Sequence, residues 1–363
     1  MVLSLLFKPR EALTIFRLMR EANRRGVPVD ELPPEVVASF LLPKTRPDRF
    51  GLVPDTEVTA EPPVEDPALE AVKADIRAGH WENAADLTAS TYGQWDRRQR
   101  VTWALADLAA NDDTWLNAWH SARPADPHWS VVHALALVSL AWDIRGSSLA
   151  TDTTRSQLDG FHRVLTEART AARAAAAVLP DDPTPWNTLI TLARGLGADH
   201  DEFRTLWAEL VARDPLHHNG HLQALQYWCA KWHGSNEMAL GFALEAAAAS
   251  ARFAGLPLRA AQEAEDTDSS LWMAPEVVEA LEGLLHRLAD EGADTVAVRE
   301  DRGYAILALL RMRRFDEAVA QFRVLGVHAD AAPWNYFELP VITFLSMRGD
   351  AMKGASRAAR VGW

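Results

Sequence analysis

The sequence predicts an all-α protein, an α-solenoid of stacked antiparallel helix pairs, on three observations. Two segments begin alike: Pro180 is followed six residues on by Trp186, and Pro215 six residues on by His221, an offset of thirty-five residues. Helix-turn-helix repeats recur with a period of about 34 residues. From Pro67 onward, apolar residues return at three- and four-residue spacing with hardly a pause, as on a helix with one buried face. Ala-dense stretches such as Ala171 to Ala177 carry little side-chain bulk and let helices pack closely. Pairs of this length cannot cover their own apolar faces, so they become stable by leaning on the next pair.

At 363 residues the chain has room for two or more domains or for one solenoid. Its apolar share of 48 % and charged share of 24 % are globular averages, which argues against wholesale disorder. Fourteen Trp stand against four Tyr. Trp115 with Trp119, and Trp228 with Trp232, are four apart and share a helix face. They therefore read first as wide filler between helices, and second as the lining of a ligand groove. The net charge of −13 argues against nucleic acid as a partner, because phosphate binding needs a concentrated positive surface. Cys229 is the single cysteine, so no internal disulfide forms, in keeping with a reducing cytoplasm. No run of eighteen apolar residues occurs, so no transmembrane segment is expected. The apolar opening from Val2 to Phe7 is too short for a signal core and runs into Lys8, Pro9 and Arg10.

Residues 1–26 form the first predicted element, a basic amphipathic helix with Leu13, Phe16 and Met19 on one side and Arg17, Arg20, Arg24 and Arg25 around them. Such a helix is suited to an anionic membrane or an acidic partner, or it is an ordinary solvated helix folded back on its own body. Residues 27–67 hold nine of the twenty prolines counted from Pro28, which prevents a continuous helix and predicts a linker or strap. Residues 68–262 read as repeats. Leu69, Val72 and Ile76 lead to a turn at Gly79; Trp103, Leu105 and Leu108 mark another helix; Asp126-Pro127 opens a long one that closes at Gly146. A loop is expected over 147–157, then a long helix through Phe161, Val164 and Leu165. A further helix is expected from Phe242 to Phe253. Residues 263–275, with Glu265, Asp266 and Asp268, read as an acidic loop, either a boundary or a surface excursion. Residues 276–349 read as C-terminal helices and 350–363 as a flexible tail.

Two turns carry a resemblance. Gly79-His80-Trp81-Glu82-Asn83-Ala84 and Arg314-Phe315-Asp316-Glu317-Ala318 each put an aromatic residue and a small one at a helix-to-helix turn. Trp186, Leu189, Ile190 and Ala193 follow an aromatic, large, apolar, small order. In these residues the chain resembles a divergent tetratricopeptide (TPR) repeat protein. It departs from that pattern at His221, which stands where Trp is expected, and in the longer turns at 195–200 and 231–238. The resemblance implies that the first helix of each pair lines a groove that takes a protein or peptide. On those helices Asn187, Thr191 and Arg194 form one stripe, and Gln223 and Gln226 add amides on the next; these five are the candidate partner-binding residues.

Two alternatives stand beside this non-catalytic scaffold. One is a regulatory sensor whose groove takes a small ligand or signalling peptide. The other is a metal-dependent helical enzyme, for which His217, His218, His221, Cys229 and His233 offer four-residue spacings suited to Zn²⁺. The pairs Asp112-Asp113 and Asp181-Asp182 lack a third carboxylate and read as helix caps. There is no glycine-rich phosphate loop and no nucleophile elbow. No catalytic residue, cofactor or metal is expected.

Overall fold

The computed structural model describes residues 9–28, 32, 36, 40, 42, 45–146 and 154–361. Among them every regular element is helical, and the sole β feature is an isolated bridge. The chain divides into two compact units, one of residues 64–280 and one assembled from 1–63 and 281–363.

The first unit contains α2 (Pro67–Arg77), α3 (Glu82–Ser90), α4 (Trp95–Asn111), α5 (Thr114–Ala122), α6 (Pro127–Arg145) and α7 (Arg155–Val178). It continues with α8 (Thr184–Leu196), α9 (His200–Arg213), α10 (His218–Trp228), α11 (Asn236–Ala249) and α12 (Leu256–Glu263). Starts and stops follow local chemistry. Asp66 and Asp126 accept backbone N–H groups ahead of Pro67 and Pro127, Thr154 and Gln157 form a capping box, and Ser235 accepts from Met238 N. Gly146 and Gly197 end α6 and α8 at φ of 72°, which a glycine adopts without strain. Capped by Ser235, α11 begins at Asn236, six residues before the predicted helix, and the residues after Ala249 tighten into a short 3₁₀ turn, Ala251–Phe253.

Packing between these helices has an order. Helix α4 packs on α6, α6 on α8, α8 on α10 and α10 on α12. Each of α7, α9 and α11 lies against the even-numbered helix that precedes it. Ala168, Ala172 and Ala175 are fully buried, which lets α7 lie close to α6 and α8. Phe203 stacks on Tyr227 at 3.7 Å, and the Tyr227 hydroxyl donates to Ala198 O at 2.8 Å. The core also encloses an ion pair. Arg98 Nε donates to Asp182 Oδ2 at 2.7 Å, with both side chains at 0 % exposure; Arg98 Nη1 donates to Thr88 O and Nη2 to His128 Nδ1. The other oxygen, Asp182 Oδ1, accepts from Thr184 N.

The turn after α10 is folded tightly on itself. Trp232 N and Gly234 N both reach Cys229 O, and a Cβ on Gly234 would lie 2.0 Å from Trp228 O. That neighbour is backbone and cannot step aside, so Gly234→Ala is expected to lower stability by about 1–3 kcal/mol or more, read from the urea midpoint. A midpoint equal to that of the parent chain would mean the turn opens freely.

The other unit holds α1 (Pro9–Arg25), α14 (Val296–Arg311), α15 (Phe315–Leu325) and α16 (Pro340–Val361), and α13 (Pro275–Leu288) carries the chain into it. In α1, Leu18 and Ala22 are buried with Leu32, and Val27, Val36 and Phe40 pack around them. Part of its apolar face is thus used within the chain; Leu13 and Phe16 lie outside the residues whose side chains are described. Arg24 and Arg25 both pair with Glu21. The strap from residue 45 is built into the unit: Leu52 and Val58 are buried, and Thr59 pairs with His328 through Thr59 N to Val327 O and Ala329 N to Thr59 O, both 2.9 Å. Arg323 donates twice to Phe50 O, at 3.1 and 2.7 Å. Buried Arg299 pairs with Asp330 at 2.8 Å, and buried Arg348 pairs with Asp55. Phe315 packs on α16 where Gly354 leaves no Cβ, since one would lie 2.2 Å from the ring.

Two expectations are corrected here. Residues 350–363 do not start as a loose tail: α16 runs to Val361, and Ala351, Met352 and Ala355 are buried, so apolar spacing outweighs the polar composition. Of the two readings of residues 263–275, the boundary does not hold, while Asp266, Thr267, Ser269 and Ser270 are exposed as a surface excursion would have them. Ala264 and Trp272 are buried inside the first unit, and Asp268 caps the 3₁₀ turn Ser269–Met273 instead of marking a solvated break. The division falls within α13, whose Val277, Leu281, Leu284 and Leu288 keep one helical rhythm throughout.

Candidate functional site

A cavity of about 520 Å³ opens on the first unit across α4, α6, α8 and α10. Trp103, Asp107 and Asn111 follow one another at four-residue intervals on α4, so they share a face. Ser139, Trp142 and Asp143 come from α6, Thr191 and Arg194 from α8, and Gln223 from α10. Ser139 Oγ donates to Asp107 Oδ1 at 2.8 Å. Asp107 keeps solvent contact, yet partial burial in the concavity, reinforced by the nearby Asp143 carboxylate, holds its carboxyl above the usual value.

Arg194 forms the opposite wall. Its guanidinium lies over Trp142 at 5.3 Å and Trp232 at 5.1 Å, and Nη1 donates to Gln223 Oε1 at 3.0 Å. Burial pushes its pKa down to about 10, which leaves it charged at neutral pH. Its Nε has no hydrogen-bond partner among the described residues. The cavity thus brings together two carboxylates, a cation and two indoles.

Of the five residues expected to bind a partner, Thr191, Arg194 and Gln223 line this cavity, and two do not. Asn187 is 1 % exposed and bonds Gln99 of α4 and Asn219 of α10, so it joins helices instead of facing a groove. Thr191 is itself 5 % exposed and donates to Asn187 O. Gln226 is turned to Glu263, which also holds Lys231. The sequence marks Trp103 only as a helix residue, and the part of α4 and α6 in a cavity is not read from it, although the four-residue spacing of Trp103, Asp107 and Asn111 is legible there.

The histidine and cysteine residues do not converge. His217 Nδ1 accepts from Gly220 N, His221 Nδ1 contacts His217 O at 3.0 Å, and the Cys229 thiol donates to Leu225 O. His233 Nε2 contacts Arg194 O at 2.8 Å. Among the described residues no group of three His, Cys, Asp or Glu is placed to hold a metal ion. Burial raises the Cys229 thiol to about 12, far from a reactive thiolate. The acid pairs are occupied too: Asp112 Oδ1 accepts from Thr114 N, and Asp182 is the core ion-pair partner.

Compared with known protein families, curated proteins and solved structures, the chain matches none. Among the described residues no helix is long and apolar enough to cross a membrane.

Proposed function

We propose that this chain is a non-catalytic interaction module, with TPR-like helix pairs stacked as a solenoid that holds a protein or peptide partner in the cytoplasm. The carrying observation is the cavity across α4, α6, α8 and α10, helices that pack one on the next. In that reading they are the inner layer of the stack, with α7, α9 and α11 outside it. An extended peptide suits the cavity: Gln223 and Asn111 offer amides to a backbone, and Trp103 and Trp142 offer flat apolar surface. Asp107 and Asp143 would accept a Lys or Arg side chain, relieving the repulsion between them. The volume also falls in the range of small-ligand sites, roughly 300–1,000 Å³, so a ligand-sensing role is the second reading.

Selection from a random displayed peptide library on the full chain tests the first reading. Peptides enriched in Lys or Arg are expected. Binding should weaken about tenfold or more in the combined variant Asp107→Asn and Asp143→Asn. No enrichment, or undiminished binding to the variant, would remove the reading. Stabilisation in a thermal shift by small amines alone would favour the sensor.

A further inference from the structure

A second cavity, of about 290 Å³, lies in the unit that contains α16. Arg46 and Arg49 border it from the strap, and Lys353 and Arg357 from α16, with the hydroxyls of Thr45 and Ser356 beside them. Among the described residues no carboxylate lines it. In a chain of net charge −13, four cations around one concavity form a local reversal of sign. Among the described residues two of them have a carboxylate partner. Arg46 is bidentate to Asp48 at 3.0 and 2.8 Å, and Lys353 stands 3.7 Å from Asp350. Arg49 and Arg357 form no ion pair among the described residues, and both are exposed.

The arrangement is held in place. Leu52 N closes the 3₁₀ turn Pro47–Phe50 onto Pro47 O, Gly51 leaves it in the left-handed region at φ of 65°, and Arg323 grips Phe50 O from α15. Across from the turn, Met352 and Ala355 anchor α16 in the core. The four cations therefore project from two fixed elements, which lowers the cost of gathering like charge around a ligand.

We propose that this cavity binds a phosphate monoester. Guanidinium groups match phosphate oxygens in pairs, and a dianion with three terminal oxygens can engage several cations at once, where a single carboxylate saturates one or two. Phe50 and Met352 supply an apolar floor for the group that carries the phosphate. Two sources share this chemistry, a soluble phosphorylated metabolite and the headgroup of an anionic lipid.

The test uses the full chain with two probes, glycerol 3-phosphate by calorimetry and phosphatidylcholine vesicles with or without phosphatidic acid by co-sedimentation. Saturable binding of at least one probe is expected, weakening as salt is raised and falling about tenfold or more in the combined variant Arg49→Gln and Arg357→Gln. Binding of glycerol 3-phosphate supports the proposal with a soluble ligand; binding only to vesicles that contain phosphatidic acid supports it with a lipid. Failure of both probes, or equal binding by the variant, overturns it. Both arginines are exposed, so the variant is expected to fold, and an unchanged circular dichroism spectrum checks this. Lys353→Gln alone gives a second, independent loss of binding.

Discussion

Acidification from about pH 7.5 to about pH 5 is expected to lower the urea midpoint steeply, because three histidines around the start of α10, His217 and His221 buried and His218 half-buried, are held in their neutral form. His217 and His221 are 1 % and 6 % exposed, and His221 stacks on Phe253 at 3.7 Å. Burial pushes His218 down to about 3 and His221 to about 4, and lowers His217 as well. The charges of Arg252 and Arg259 add to this at His218, and Asp96 and Asp214 oppose it only in part. The unfolded chain takes up protons as pH falls below its ordinary histidine value of 6.5, while the folded chain does not. Stability is therefore complete above that value and is lost progressively as pH drops toward 4 and then 3, the folded values of His221 and His218. The slope is about 1.4 kcal/mol per pH unit for each fully shifted histidine, so about 3 kcal/mol per unit for His218 and His221 together, with His217 acting in the same direction. His221→Phe keeps the stack on Phe253 and should flatten the curve. Midpoints that stay level between pH 7 and pH 5 would contradict the account.

Asp182→Ala should be nearly as damaging. It strips the counter-ion from a guanidinium with no contact to water and removes the acceptor of Thr184 N, at the step from α7 to α8. Removing one partner of a buried pair costs about 3–5 kcal/mol, because the remaining charge is stranded. Arg98→Met combined with Asp182→Leu should regain much of that loss, since it removes both charges together and leaves apolar volume. The comparison is of urea midpoints for the parent chain, the single variant and the pair. A single variant within about 0.5 kcal/mol of the parent would mean that water or another group reaches Arg98.

How far the sequence discloses this molecule depends on the range of the interaction involved. Asp126-Pro127 and Gly146 predict α6 because capping and helix termination are settled within a few neighbours. Ala84 and Ala318 are fully buried beside Trp81 and Phe315, where the two resembling turns place them. The Asn187, Thr191 and Arg194 stripe is different. Spacing assigns three residues to one face, but what meets that face is decided by α4 and α10: Gln99 and Asn219 take up Asn187, while Thr191 and Arg194 are left to line the cavity. The cavity is hidden for the same reason, since its walls come from four helices spread between Trp103 and Gln223. The division inside α13 leaves no local mark, because Val277 and Leu281 continue one pattern while belonging to different units.

The split unit also sets a timetable for synthesis. Phe50 O waits for Arg323, 273 residues later, and Asp55 for Arg348, 293 residues later. On the ribosome, every helix from α2 to α12 emerges before these partners exist. The inserted unit can thus close on contacts already available, whereas the bonds of the strap to α15 and α16 form only once the final helices are made.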